Sequence, residues 1–141
     1  MSLLDAMAAQ LETAGVGTVK TSSNAPAWPI YKGGSIPNGV AQPGIWLTEY
    51  PRQGALNSMG STLGAMEAEV VGLQAVVRHA AYDTGRAKAE AITTALHRLS
   101  GTFSGVKYAL VMHQSGPFPL QRDGDAAWIF SVNFEVTKDR G

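Results

Sequence analysis

Three histidines and one acidic pair are the residues whose types could support chemistry in this chain. His79, His97 and His113 lie far apart in sequence, and none forms a metal-binding repeat such as His-x-x-x-His. Asp123 and Asp125 flank a glycine, and two carboxylates at this spacing can hold a divalent cation or act as acid and base. Because Asp-Gly is also a strong turn signal, we interpret this segment as a turn.

The chain lacks the residue spacing of other known catalytic and cofactor-binding motifs. The chain has no Gly-x-Ser-x-Gly motif for a nucleophilic serine, and the GVGTVKT segment at residues 15–21 lacks the Gly-x-x-x-x-Gly-Lys-Ser/Thr spacing of a phosphate-binding loop. Zero cysteines exclude a disulfide framework, a thiolate metal site and a cysteine nucleophile. We therefore predict no catalytic residue, no metal site, no cofactor and no enzymatic activity.

Length and composition indicate one weakly charged domain. With 141 residues, 45% of them apolar, the chain is long enough to bury its own core. Its 11 basic and 11 acidic residues balance, and no basic run marks a nucleic-acid-binding surface. A charged fraction of 16% with 16 glycines favours self-association, and a soluble monomer is the alternative. The N-terminal segment is too short and polar to cross a membrane, so no membrane partner is expected.

The clearest secondary-structure signal is an alternating strand in the last third of the chain. Apolar residues at every second position predict one buried face and one face towards solvent or a partner. The predicted buried face consists of Trp128, Phe130, Val132, Phe134 and Val136. The opposite face consists of Ile129, Ser131, Asn133, Glu135 and Thr137. A preceding strand at residues 106–115 and a proline-containing turn at residues 116–125 complete a predicted hairpin.

Two amphipathic helices are predicted from apolar periodicity and terminating residues. The first spans residues 3–14 and ends at Gly15 in a Schellman turn. The second begins at Asp83 or Thr84 as N-cap and runs to about Leu99, before Gly101 ends it. The small residues expected to let this helix approach a sheet closely are Ala87, Ala91 and Ala95.

Three further strands are predicted at residues 28–31, 45–50 and 68–80, and Pro51 is expected to end the second of them. The third alternates: one face consists of Val71, Leu73, Ala75 and Val77, and the other of Val70, Gly72, Gln74, Val76 and Arg78. Glycine-rich segments at about residues 33–44 and 52–65 are predicted to be mobile loops, with a possible helical turn in the second. The order of elements predicts an α+β fold: a single domain over residues 1–141, with a mainly antiparallel sheet and two helices packed on it.

Three segments carry a resemblance to a known family. Residues 3–19 read LLDAMAAQLETAGVGTV, a helix followed by a GxGTV turn. Residues 70–101 run from the strand VVGLQAVVRHA into a helix that closes on ALHRLSG. Residues 114–137 contain QSGPFPLQRDGD and FSVNF, the most specific motifs of the three. On these motifs the chain resembles the tail terminator proteins, or minor capsid proteins, of long-tailed phages.

The resemblance implies a structural virion protein without a cofactor. Its subunit would assemble with itself into a homohexameric ring that caps the tail tube protein, stops tube polymerisation and meets the head connector or head-completion protein. Its place would be the head–tail junction of the virion, after synthesis in the host bacterial cytoplasm. DNA would pass through the pore without specific binding, so pore-facing side chains are expected to be neutral or acidic.

Candidate contacts with neighbouring subunits or the tube lie in the second glycine-rich segment and the terminal hairpin. A cyclic ring needs two different patches on each subunit. The candidates are Leu56, Met59, Leu63, Phe118, Leu120, Arg122, Asn133 and Glu135. Two alternatives stay open. One is a head-completion or tail-tube subunit of the same particle, and the other is a small metal-dependent hydrolase using Asp123, Asp125 and a histidine.

Overall fold

A computed structural model of the protein describes residues 3–21, 23–33, 43–57, 67–103, 106–122 and 127–139. Within these ranges the chain forms two helices and seven strands. In order they are α1 (Leu3–Thr13), β1 (Thr18–Val19), β2 (Pro29–Lys32), β3 (Gly44–Asn57), β4 (Glu67–His79), α2 (Tyr82–Leu96), β5 (Gly101–Phe103), β6 (Val106–Arg122) and β7 (Trp128–Asp139).

The strands form one sheet in the order β1-β2-β3-β4-β7-β6-β5. The pairings β1–β2 and β2–β3 are parallel, and all others are antiparallel. Because β7 lies between β4 and β6, the β4–α2–β6 connection crosses over its position. The predicted α+β fold, with two helices and a mainly antiparallel sheet in one domain, is confirmed. Neither described helix has the length and hydropathy needed to span a membrane.

The core lies between the two helices and one face of the sheet. Its β7 members, all fully buried, are Phe130, Val132, Phe134 and Val136. Its β4 members are Val71, Leu73, Ala75 and Val77. Its helical members include Met7 and Leu11 of α1 and Ala89, Ile92 and Leu96 of α2. The alternation predicted for both strands is therefore confirmed, and Trp128 is partly buried against this core.

α1 ends as its sequence predicts. Gly15 adopts a φ of 77°, and the N–H groups of Val16 and Gly15 donate to the carbonyls of Leu11 and Glu12 at 3.0 and 3.1 Å. These are the two bonds of a Schellman turn. The Glu12 carboxylate then accepts the Val19 N–H at 3.0 Å, which ties β1 to the end of the helix.

The predicted start of α2 is wrong. The helix begins at Tyr82, and Ala81 occupies the N-cap position without a side-chain hydrogen bond. Neither Asp83 nor Thr84 caps it; Asp83 lies in the first turn, where the helix dipole favours its charge. The Ala81 N–H instead donates to Nδ1 of His79 at 2.9 Å, so the chain enters the helix directly from the end of β4.

The predicted end of α2 near Leu99 and Gly101 is also wrong, because the chain leaves the helix to pair with β6. The helix stops at Leu96, and Arg98 adopts a left-handed φ of 67°. The Arg98 N–H donates to the Val111 carbonyl at 2.7 Å, and the Val111 N–H donates to the Leu99 carbonyl at 2.9 Å. Tertiary backbone pairing therefore sets this boundary.

β3 does not stop at Pro51. The strand continues to Asn57, with a bulge between Pro51 and Gly54. Its outer neighbour β2 reaches only to Leu47, and proline is tolerated beside a bulge where no outer strand pairs. Residues 52–57, including Leu56, thus lie in a strand and not in a loop or helical turn. Residues 34–42 and 58–66 of the glycine-rich segments lie outside the described residues.

The predicted turn between β6 and β7 begins too early. The antiparallel hairpin is confirmed, but residues 116–122 continue β6 as far as Arg122. Four register shifts interrupt the pairing with β7, and such irregularities accommodate prolines within a strand. Residues 123–126, which include Asp123 and Asp125, lie outside the described residues.

α2 approaches the sheet through Gly85 and Ala89. Both are buried, and a Cβ built on Gly85 would lie 2.8 Å from a core aromatic ring. Of the alanines predicted for this role, Ala87 is exposed, whereas Ala91 and Ala95 are partly buried against the core. Lys88 joins α2 to the segment after α1, because its ammonium donates to the Val16 carbonyl at 2.8 Å. Burial lowers the pKa of that ammonium.

Gly85→Ala should destabilise the protein although alanine is the better helix former. Helix propensity gains up to about 1 kcal/mol, whereas overpacking against the Phe130 ring costs about 1–3 kcal/mol. We expect urea denaturation to show an unfolding free energy lower by roughly 1 kcal/mol. Thr84→Ala, exposed in the same turn, is the matched control and should stay within about 0.5 kcal/mol of the wild type. A Gly85→Ala protein as stable as the wild type would contradict the tight contact.

Tyr108 should make stability depend on alkaline pH. Burial and, to a smaller extent, the Glu49 carboxylate raise the pKa of its phenol above the ordinary 10.0. The unfolded state then loses this proton first and binds fewer protons than the native state, so stability falls as pH rises. Above about pH 10 the unfolding free energy should decline more steeply in the wild type than in Tyr108→Phe. Parallel pH profiles would show that the phenol does not contribute.

Candidate functional site

The structure brings two of the three histidines together. His97 follows α2, His113 lies on β6, and their ring centroids are 6.2 Å apart. The His113 backbone N–H donates to Nδ1 of His97 at 3.1 Å. His79 lies elsewhere, stacked on Trp28 with centroids 5.2 Å apart. In the described part of the chain, no group of three or more histidine and acidic side chains could hold a metal ion. The histidines hold backbone in place.

The His113 side chain also contacts the backbone of β6 where its pairing with β7 is irregular. Its Nε2 lies 2.8 Å from the Gly116 carbonyl oxygen, so this nitrogen carries a proton and donates it. Gly116 adopts a φ of 95°, and a Cβ there would lie 2.3 Å from the Ser131 carbonyl oxygen of β7. Only glycine fits where the two backbones approach this closely in a left-handed conformation.

A network of neutral polar side chains lies on the sheet face opposite the helices. Gln74 Nε2 donates to Ser131 Oγ at 3.0 Å and to Asn133 Oδ1 at 3.3 Å, and Asn133 Nδ2 donates to Ser115 Oγ at 3.1 Å. An open cavity of about 460 Å³ lies over this network, between Tyr50 and β6. We call this surface the open face; its residues are Tyr50, Gln74, Gln114, Ser115, Phe118 and Asn133.

A buried arginine and two stacked rings lie beside the network on the same side of the sheet. Arg78 is 1% exposed, and its guanidinium carbon lies 4.8 Å from the centroid of the Trp46 ring. Trp46 in turn stacks on Tyr31, with centroids 4.8 Å apart and the planes 15° from parallel. Sequence alternation placed Arg78 on this side of β4, but its burial depends on a ring from another strand and was missed.

The structure describes three of the predicted interface side chains. Phe118 is 50% exposed and pairs with Ser131, which places it on the open face. Asn133 and Glu135 are half-buried, and Asn133 belongs to the polar network. Ser131, expected on the solvent side, is buried. Leu56 lies in β3, Leu120 and Arg122 lie in β6, and Met59 and Leu63 lie outside the described residues.

Leu110 is an exposed apolar residue that sequence reasoning did not single out. It is 37% exposed and pairs with Thr137, so it lies on the same side of β6 as Phe118. Amides, hydroxyls and these two apolar side chains can provide hydrogen bonds and apolar contact. They provide no acid–base pair, so this surface is suited to binding.

Gly116→Ala should be strongly destabilising. The substitution combines a left-handed backbone with a clash against the β7 backbone, where neither atom can rotate away. We expect the melting temperature to drop by an amount equivalent to about 3 kcal/mol or more. Gly15→Ala is the matched control, because Gly15 is also left-handed but has open space around its Cβ position, and it should cost about 1 kcal/mol. Equal losses for the two variants would rule out the close contact.

Comparisons with known proteins agree with this architecture. The sequence matches the model of the family described as "Bacteriophage tail terminator protein" over residues 10–140. Comparison with curated proteins finds no match. Among solved structures, the fold is similar to that of a chain in "Virion of native gene transfer agent (GTA) particle", with a TM-score of 0.64 and 16% sequence identity. The alignment covers 99% of this chain and 96% of that chain.

The family match spans nearly the whole chain, from the last turn of α1 through α2 to the end of the terminal hairpin. The resemblance inferred from the sequence motifs is therefore confirmed, and the chain belongs to the bacteriophage tail terminator protein family.

Proposed function

We propose that this phage tail protein caps the finished tail tube as a hexameric ring. In this role it stops tube polymerisation and forms the surface that meets the head connector or head-completion protein. The observation that carries the proposal is the family match over residues 10–140. The virion protein is made in the host bacterial cytoplasm and resides at the head–tail junction.

The side chains of the structure support a structural role without an enzymatic one. The histidines donate to or accept from backbone groups, and the polar network on the open face consists of neutral groups bonded to one another. Within the described ranges no cluster suited to a metal ion accompanies them. We propose that such a scaffold presents binding surfaces and acts without a cofactor.

The open face supplies the kind of contact that a ring subunit needs. Phe118 is exposed among neutral groups, and apolar or aromatic side chains of this kind are enriched in protein interfaces. We assign Phe118 to the contact with a neighbouring copy. Further contact candidates, to the neighbouring copy or to the tube, are Leu56, Met59, Leu63, Leu120, Arg122, Asn133 and Glu135.

The pore of the proposed ring lets DNA through without binding it specifically. With 11 basic and 11 acidic residues the chain has no net charge to attract phosphates. We therefore expect neutral or acidic side chains along the pore, and a pore lined by Arg52, Arg122 or Lys138 would contradict this part of the proposal.

Capping can be measured by adding the purified protein to polymerising tail-tube protein from the same phage. We expect rings in negative-stain images and tubes that stop growing once the protein is present. Phe118→Asp should keep the fold, because the side chain is half exposed, but should weaken ring formation and capping at least tenfold, equivalent to about 1.4 kcal/mol.

Thr94→Asp introduces the same charge at an exposed position of α2, and this control variant should cap normally. Tubes that grow unchanged in the presence of the folded wild-type protein would overturn the proposed function. Normal capping by Phe118→Asp would remove Phe118 from the interface.

A further inference from the structure

Strand β3 is longer than its outer neighbour. β2 pairs with β3 at Ile45, Trp46 and Leu47 alone, and the Gly33 N–H donates to the Leu47 carbonyl. Beyond this point, residues 48–57 pair with β4 on one side and have no strand on the other among the described residues. Within the described part of the chain, this portion of β3 is therefore a free sheet edge.

Strand β6 has a free edge as well, on the opposite border of the sheet. β5 pairs with residues 106–108, the chain after α2 exchanges backbone hydrogen bonds with Val111, and His97 accepts the His113 N–H. From residue 114 to Arg122 the described residues provide no neighbouring strand on the side away from β7. The free edges of β3 and β6 are ten and nine residues long, so they are closely matched in length.

The two edges also match in direction. β3, β4, β7 and β6 are each antiparallel to the next, so β3 and β6 run in opposite directions. Placing β6 of one copy beside β3 of another continues the antiparallel alternation and leaves the same two edges free at the ends. Such a contact is head to tail, the kind that generates rings.

The position of the edges fits a ring better than a flat ribbon. The positions of both edges can be compared on β4. Phe118, at the centre of the β6 edge, pairs with Ser131 of β7, which in turn pairs with Val76 of β4. The centre of the β3 edge lies opposite Val70 and Val71 of β4. The centres of the two edges are therefore displaced along the strand direction by five to six residues, or roughly 18 Å. Perpendicular to the strands, one copy contributes four strand spacings, or roughly 19 Å. A repeat with these dimensions closes when the strands tilt by about 45° to the ring axis, at the upper end of the 35–45° typical of closed barrels.

We propose that copies of this protein join through these edges, residues 114–122 of one copy pairing antiparallel with residues 48–57 of the next. The inference rests on the proposed ring and specifies its subunit contact. Exposed Phe118 lies at the centre of one edge. Pro51, Pro117 and Pro119 interrupt the edges, which lowers the number of hydrogen bonds and discourages pairing with unrelated strands.

The absence of cysteine makes the contact testable by disulfide cross-linking. Centred antiparallel pairing places residue 48 near residue 122 of the next copy, and residue 57 near residue 114. The double variants Thr48→Cys/Arg122→Cys and Asn57→Cys/Gln114→Cys should, after mild oxidation of assembled protein, give a ladder of covalent multimers up to the ring size. Each single variant can give a dimer at most. Thr48→Cys/Gln114→Cys is the matched control, since its two sites would lie roughly 25 Å apart across the contact.

The outcomes separate this inference from the proposed function. Rings in negative stain together with ladders from the two test pairs support the edge contact. Rings without a ladder from either test pair would overturn it and leave the capping ring standing. A ladder from the control pair as strong as from the test pairs would also overturn it. Neither rings nor ladders, with and without tube protein, would overturn the ring and the edge contact together.

Discussion

The complete burial of one face of β7 is the constraint on which the rest of the structure depends. β7 pairs with β4 on one side and β6 on the other along nearly its full length, so its register sets both neighbours. A slip by one residue would turn Asn133 and Glu135 into the core in place of Phe134. Each fully buried side chain of this face contributes about 1.5–3 kcal/mol, and the helices complete the core around it.

Hydrophobic alternation and terminating glycines were sufficient to predict the elements whose boundaries depend on neighbouring residues in the sequence. The alternation of β7 and β4, and the glycine that ends α1, identified these elements and their buried faces. The end of α2, the passage of β3 through Pro51 and the extension of β6 past Gly116 were not predictable in this way. Each depends on a partner distant in sequence: the Val111 backbone, the short β2 and the strand β7.

The candidate site was predictable in location but not in detail. Alternation placed Asn133 and Glu135 on the side away from the core, and the resemblance singled out the PFPL segment that contains Phe118. The polar network and the burial of Arg78 arise from contacts between side chains on different strands. Gln74 and Ser131, for example, are 57 positions apart in the sequence. Pairings of this separation leave no local pattern in one sequence, because either partner alone reads as an ordinary exposed polar residue.

The insertion of β7 between β4 and β6 has a consequence for biosynthesis. During translation β4, α2 and β6 emerge from the ribosome before the strand that must lie between them, so the centre of the sheet cannot close until β7 has been made. The nascent chain holds most of its apolar residues without a completed core during this interval. A polypeptide that terminates before β7 therefore lacks the central strand of the sheet, and β4 and β6 have no shared partner to set their positions.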